Sequence, residues 1–73
     1  MIRTSVIGLT AAGAEHARAY AADPLAELLG VYDSDVNRSE ALAAELGCSA
    51  YATVADLIGA EPNLVTVRSP VAD

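Results

Sequence analysis

The chain has 73 residues, a net charge of −6 and a pI near 4.4, which makes one small domain and leaves its four Lys/Arg too few for the clustered basic surface that nucleic acid or an anionic membrane requires. One cysteine, Cys48, excludes an internal disulfide and a cysteine-based metal cluster, and it reads as a small packing residue with no metal expected. No apolar run reaches the roughly 20 residues of a membrane span, and Arg3 interrupts the first one, so neither a signal peptide nor a span is read and a cytoplasmic location is expected.

Residues 2–7, "IRTSVI", read as a strand running into Gly8, with Val6 and Ile7 consecutive and apolar as in a strand covered on both faces. Residues 11–22, "AAGAEHARAYAA", read as an alanine-rich helix that Pro24 stops by disfavouring helix at Asp23. A second strand follows at 26–32, "AELLGVY", closing at Asp33. Asp35 caps the next helix, whose Val36, Leu42, Ala43 and Leu46 fall near one face and which Gly47 ends. "CSAYA" (48–52) is a short strand, and Thr53 with Asp56 forms a capping box for a short helix reaching about Ile58. "NLVTVR" (63–68) is the fourth strand, and "SPVAD" leaves its end. The order β-α-β-α-β-α-β calls for an α/β fold with right-handed crossovers and a four-stranded parallel sheet with helices on both faces; for a doubly wound dinucleotide fold the strand order is 3-2-1-4. Sixteen alanines supply much of the 53% hydrophobic content, so backbones approach closely while little apolar area is buried. A chain of this size buries roughly 60% of its unfolded surface, and its stability is marginal.

Three features fall where a dinucleotide needs them. The turn Gly8-Leu9-Thr10-Ala11-Ala12-Gly13 joins the first strand to the first helix. Gly8 permits a tight turn, the small residues let backbone approach a pyrophosphate, and Gly13 lets helix pack on strand. The helix N-terminus then presents unpaired N–H groups and a positive dipole end to phosphate. Thr10 stands where the middle glycine of G-x-G-x-x-G is expected. Asp33 ends the second strand, 25 residues past Gly8, where a carboxylate accepts from ribose hydroxyls and repels a 2′-phosphate. That favours NAD over NADP, while Arg38 could stack on adenine or meet a 2′-phosphate and so keeps NADP open. Ser69-Pro70 follows the fourth strand, beside the first at the switch point of the sheet.

The run "VIGLTAAGAEHARAYAADPLAELLGVYDSDVNRSEALAAELG" closely resembles the N-terminal Rossmann domain of Gfo/Idh/MocA oxidoreductases, the glucose–fructose oxidoreductase and inositol dehydrogenase family, and "VRSPVAD" resembles that family's strand-four ending. The resemblance covers essentially all of residues 1–73 and implies an NAD(P)-binding Rossmann domain from enzymes that oxidise or reduce sugars and polyols. It places Gly8, Leu9, Thr10, Ala11, Ala12 and Gly13 at the pyrophosphate turn, Asp33, Ser34 and Arg38 at the adenosine ribose and adenine, and Ser69 and Pro70 toward the nicotinamide-side ribose. Thr10 and Arg68 depart from the family pattern, which has glycine and a small residue there; some branches, including repressor-like ones, carry Ser, Thr or Asn at the turn. The family's catalytic lysine belongs to a Glu-Lys-Pro segment after a fifth strand. The 73 residues hold no lysine, so they are expected to lack the later strands and substrate domain and to be inactive alone.

Two other readings stand beside this one. A half-fold whose fourth strand exposes "LVTV" as an edge would self-associate as a homo-oligomer. A cofactor-sensing regulator without catalysis would share the Thr10 turn. His16 is read as a packing or helix-surface residue, Glu40 and Glu45 as solvated helix charges, and Tyr20, Tyr32 and Tyr51 as packing residues with their hydroxyls near water. Arg68 would be costly on a central strand; at an edge it would block pairing or meet a partner.

Overall fold

The computed structural model describes residues 1–68. Seven elements alternate: β1 (Ile2–Ile7), α1 (Ala11–Ala22), β2 (Ala26–Tyr32), α2 (Val36–Leu46), β3 (Ser49–Ala50), α3 (Val54–Gly59) and β4 (Leu64–Val67). The strands form one parallel sheet of order β3-β2-β1-β4: the alternation requires the parallel pairing, and the order is the one expected of a dinucleotide-binding fold. The connections from β1 to β2 and from β2 to β3 step in one direction, and the connection from β3 to β4 returns across the sheet. Right-handed crossovers therefore put α1 and α2 on one face and α3 on the other.

Each boundary has a local cause. Thr10, Asp35 and Thr53 cap the three helices through side-chain oxygens that accept backbone N–H groups. Thr53 supplies its half of the expected box, accepting from the Asp56 N–H at 3.0 Å. Beyond α1, the Asp23 N–H closes on the Tyr20 carbonyl and its carboxylate accepts from Leu25 N–H, turning the chain into β2. Gly47 ends α2 at φ +69°, and both Gly47 and Cys48 donate to the Ala43 carbonyl. That cap claims Cys48, and β3 is Ser49–Ala50 rather than the expected 48–52, although the Tyr51 N–H still donates to the Val31 carbonyl at 2.9 Å. α3 runs one residue past Ile58, to Gly59. β4 pairs over Leu64–Val67, although ladder hydrogen bonds from Asn63 and Arg68 extend it to the expected 63–68.

The core lies between the sheet and the α1–α2 layer. Val6 and Val31 from the central strands meet Leu9, Ala17, Leu42 and Ala43, with Ala14, Tyr20, Leu28, Leu46 and Cys48 at its margin. The helix contribution is thus partly alanine, which is why the helices sit close to the strands. Val36 does not join its expected face: it is at the first turn of α2 and mostly exposed. Leu57 of α3 is fully buried apart from that cluster. Gly30 has its role here, since a Cβ on it would run into the Tyr51 ring and the Ser49 carbonyl.

Among the described residues, three polar side chains are buried. Thr4 Oγ1 donates to the Glu27 carbonyl and Ser39 Oγ to the Val36 carbonyl. Ser5 Oγ has no partner among the described residues, an arrangement that typically costs about 1–3 kcal/mol. Two side chains have partners that the sequence did not indicate. Glu45 is paired with Arg18 at 2.9 Å across α1 and α2, both half exposed. The Tyr20 hydroxyl bonds to Thr66 Oγ1 at 2.7 Å instead of lying in water, fastening α1 to β4.

Candidate dinucleotide site

The site is assembled at the C-terminal ends of β1 and β2, beside the end of β4. β1 leaves the sheet at Gly8, whose N–H still donates to the Tyr32 carbonyl at 2.8 Å. Gly8 has φ +88°, and a Cβ there would overlap the Arg68 carbonyl. Both facts restrict the position to glycine. Leu9 is buried, and Thr10 then caps α1 with φ −63° and ψ 175°. Its Oγ1 accepts from Gly13 N–H at 3.3 Å, and its carbonyl accepts from Ala14 N–H at 2.8 Å. Thr10 therefore replaces the flexible glycine with a built helix cap. The geometry leaves the early N–H groups of Ala11 and Ala12 without intrahelical partners. Gly13 seats the helix, because a Cβ on it would overlap the Gly8 carbonyl oxygen.

Asp33 ties this turn to β2. One carboxylate oxygen accepts from Leu9 N–H at 2.7 Å and the other from Asp35 N–H at 2.8 Å. The side chain is only 9% exposed, so the bond to Leu9 acts where water competes little. Asp35 accepts from Asn37 and Arg38 N–H groups and so starts α2. Arg38 reaches back, with Nη1 3.5 Å from the Leu9 carbonyl and 3.8 Å from the Asp33 carboxylate. Ser34 is exposed between them. The structure thus brings Gly8, Leu9, Thr10, Ala11, Ala12 and Gly13 together with Asp33, Ser34 and Arg38. Ser69 and Pro70 lie outside the described residues.

The fit to a dinucleotide is chemical as well as positional. A tight glycine turn opens onto the N-terminus of a 12-residue helix, the arrangement that receives phosphate through backbone N–H groups. Next to it stands a carboxylate whose two oxygens each keep a lone pair for a ribose hydroxyl. Among the described residues, no group of three or more His, Cys, Asp and Glu could hold a metal ion, and no helix is long and apolar enough to cross a membrane.

Sequence reasoning missed two contacts. Arg68 is exposed immediately after β4 and not turned into the sheet, so it carries no central-strand penalty. Its Nη2 lies 3.1 Å from His16 Nε2 on α1. His16 follows Ala12 by four residues, hence on the same helix flank, and that spacing was the available signal. The Asp33–Leu9 bond had no local signal, since its partners are 24 residues apart.

Comparison with known proteins agrees with this geometry. The family model for the Gfo/Idh/MocA oxidoreductase family, NAD-binding Rossmann fold, matches residues 2–72. UDP-N-acetylglucosamine 3-dehydrogenase of Acidithiobacillus ferrooxidans is 41% identical over 69 residues, covering 94% of this chain and 21% of that protein. Its solved structure superposes with a TM-score of 0.83 at 40% identity, covering 94% of this chain and 22% of that one. GenD2 from gentamicin A biosynthesis, solved in complex with NAD, superposes with a TM-score of 0.87 at 27% identity, covering 94% of this chain and 20% of that one. The chain spans about a fifth of the length of these relatives. With its 3-2-1-4 sheet and glycine turn, the chain belongs to the Gfo/Idh/MocA oxidoreductase family as an NAD-binding Rossmann domain.

Proposed function

We propose that the chain holds the ADP part of NAD in an oxidoreductase that acts on a hydroxyl of a sugar or sugar-like substrate. The observation that carries this reading is the Asp33 carboxylate, anchored to Leu9 N–H at 2.7 Å and so fixed beside the glycine turn. The Ala11 and Ala12 N–H groups, with Gly8 and Thr10, would face the pyrophosphate; Leu9 and Gly13 hold the turn in shape. Asp33 would accept from the adenosine ribose, with Ser34 and Arg38 flanking adenine. Ser69 and Pro70 belong to this proposal by family resemblance, toward the nicotinamide-side ribose. When bound, the nicotinamide ring accepts or returns a hydride; these residues position the other end of the molecule. The dehydrogenase relative with a sugar-nucleotide substrate supports the substrate class, and the family description supports an oxidoreductase over a cofactor-sensing regulator.

Calorimetric titration with NAD, NADP and ADP-ribose tests the reading. NAD and ADP-ribose are expected to bind alike and NADP about tenfold or more weakly, since its 2′-phosphate would approach Asp33. Absence of heat with all three ligands, or tighter NADP binding, contradicts it. A narrower second reading concerns association. β4 is an edge strand in this sheet, with Leu64 46% and Val67 65% exposed, the kind of edge that pairs with another copy. Sedimentation giving a strict monomer at high concentration removes that reading.

A further inference from the structure

We infer that Arg68 is a cofactor-positioning residue whose guanidinium rests on His16 in the free chain and turns to the diphosphate of a dinucleotide lying over the glycine turn. The inference rests on the proposed dinucleotide site. The root of the side chain is fixed by the Arg68 N–H, which donates to the Ile7 carbonyl at 2.8 Å, and Arg68 Cβ stands beside Gly13, 3.5 Å from where a Cβ on that glycine would lie. Arg68 thus stands over the first turn of α1 at the C-terminal ends of β1 and β4. In open α/β sheets this switch point is where ligands bind.

The side chain has room and reach. An open depression of about 340 Å3 is lined by Ala12, Glu15, His16, Ala19 and Arg68. His16 and Ala12 are four residues apart, about 6 Å along the helix, and an arginine stem spans that by a rotamer change. At the Ala12 end the guanidinium would meet the phosphate-facing N–H groups of the helix. Glu15 lines the same depression further along the helix, so an anion is favoured only at the Ala12 end.

The charge is also available. Arg18 is paired with Glu45, Arg38 lies 3.8 Å from Asp33, and Arg3 donates to the Glu61 carbonyl at the other end of the sheet. The contact of Arg68 is instead with an imidazole, at 3.1 Å. A guanidinium only donates, so in this contact His16 Nε2 stands as the acceptor, and the cation rests on a ring nitrogen rather than on a carboxylate. No carboxylate lies within salt-bridge distance of Arg68 among the described residues. In a chain with no lysine and net charge −6, a diphosphate over the turn gains from a cation that no described carboxylate holds.

The test compares wild type with Arg68→Met, which keeps the stem and removes the charge, and Arg68→Lys, titrating NAD, ADP-ribose and AMP by calorimetry. Arg68→Met is expected to weaken NAD and ADP-ribose about 10- to 100-fold, the loss of a charge-assisted hydrogen bond, and to flatten the salt dependence of NAD binding. AMP, without the second phosphate, is expected to change less than about threefold, and Arg68→Lys to recover part of the loss. Wild-type NAD affinity in Arg68→Met overturns the inference and leaves the dinucleotide site standing. Equal weakening of AMP and NAD overturns it in favour of a structural role. Failure of wild type to bind any of the three ligands overturns the site itself.

Discussion

Gly13→Ala isolates the joint on which the site depends. In an exposed helix interior this change usually stabilises, by about 0.5–1 kcal/mol, because alanine loses less backbone entropy. Here the new Cβ would overlap the Gly8 carbonyl oxygen and lie 3.0 Å from its carbon. Both obstacles are backbone, and Gly8 cannot yield because it is held at φ +88° against the Arg68 carbonyl. α1 must therefore retreat from β1, loosening Ala17 against Val6 and Val31. Overpacking of this kind costs about 1–3 kcal/mol, and a rigid obstacle puts it at the upper end. After subtracting the propensity gain, net destabilisation is about 2 kcal/mol, or a melting-temperature drop of about 8–16 °C for a domain of this size. Gly59→Ala is the control: that glycine is also helical, and a Cβ on it meets nothing within 4 Å. Thermal unfolding followed by circular dichroism should show opposite signs for the two substitutions. A Gly13→Ala chain as stable as wild type, alongside a stabilised Gly59→Ala, would refute the close-packed turn.

Asp33→Ala should destabilise by about 2 kcal/mol, as it strands the Leu9 N–H that a largely buried carboxylate now satisfies; urea unfolding measures this, and the NAD-over-NADP preference should narrow in the same variant. Thr10→Gly should cost only a few tenths of a kcal/mol, since glycine is a tolerable N-cap, and should tighten NAD binding by clearing the side chain from the turn; a stability loss with no gain in affinity would make the turn a packing joint only. The Arg18 hydrogen bond holds the Glu45 carboxyl below its ordinary value. Because the folded value is depressed, the pair's stabilisation is present above the unfolded carboxylate range and is lost as pH falls through the folded value. The stability difference between wild type and Glu45→Gln should therefore vanish on acidification, and a difference that grows would contradict the pairing.

The legible parts of the fold were those with local causes. Pro24 and Asp23 stop α1, Gly47 stops α2, alternation makes the sheet parallel, and the dinucleotide-fold reading supplies its order. β3 was overread because Cys48 looks like strand but gives its N–H to the α2 cap. Val36 was overread because helical periodicity marks a face without saying where the sheet beneath it ends. At the site, the glycines and Asp33 were visible as residue types at a known spacing. Their bonding was not: the Asp33–Leu9 bond and the Arg68–His16 contact join residues 24 and 52 apart, and only the folded backbone sets where those side chains meet. Thr10 looked like a missing glycine and is a helix cap, a role the sequence pattern alone could not separate from damage.

The central claim is that the turn and Asp33 form one binding surface for the ADP part of NAD. An NMR titration of the chain with NAD, followed at backbone amides, tests it most directly. The account predicts saturable shifts concentrated at Leu9–Gly13 and Asp33–Arg38, reproduced by ADP-ribose. Shifts confined to the β4 edge around Leu64–Val67, or no shift at the Leu9 and Ala11–Ala12 amides at saturating NAD, would contradict it.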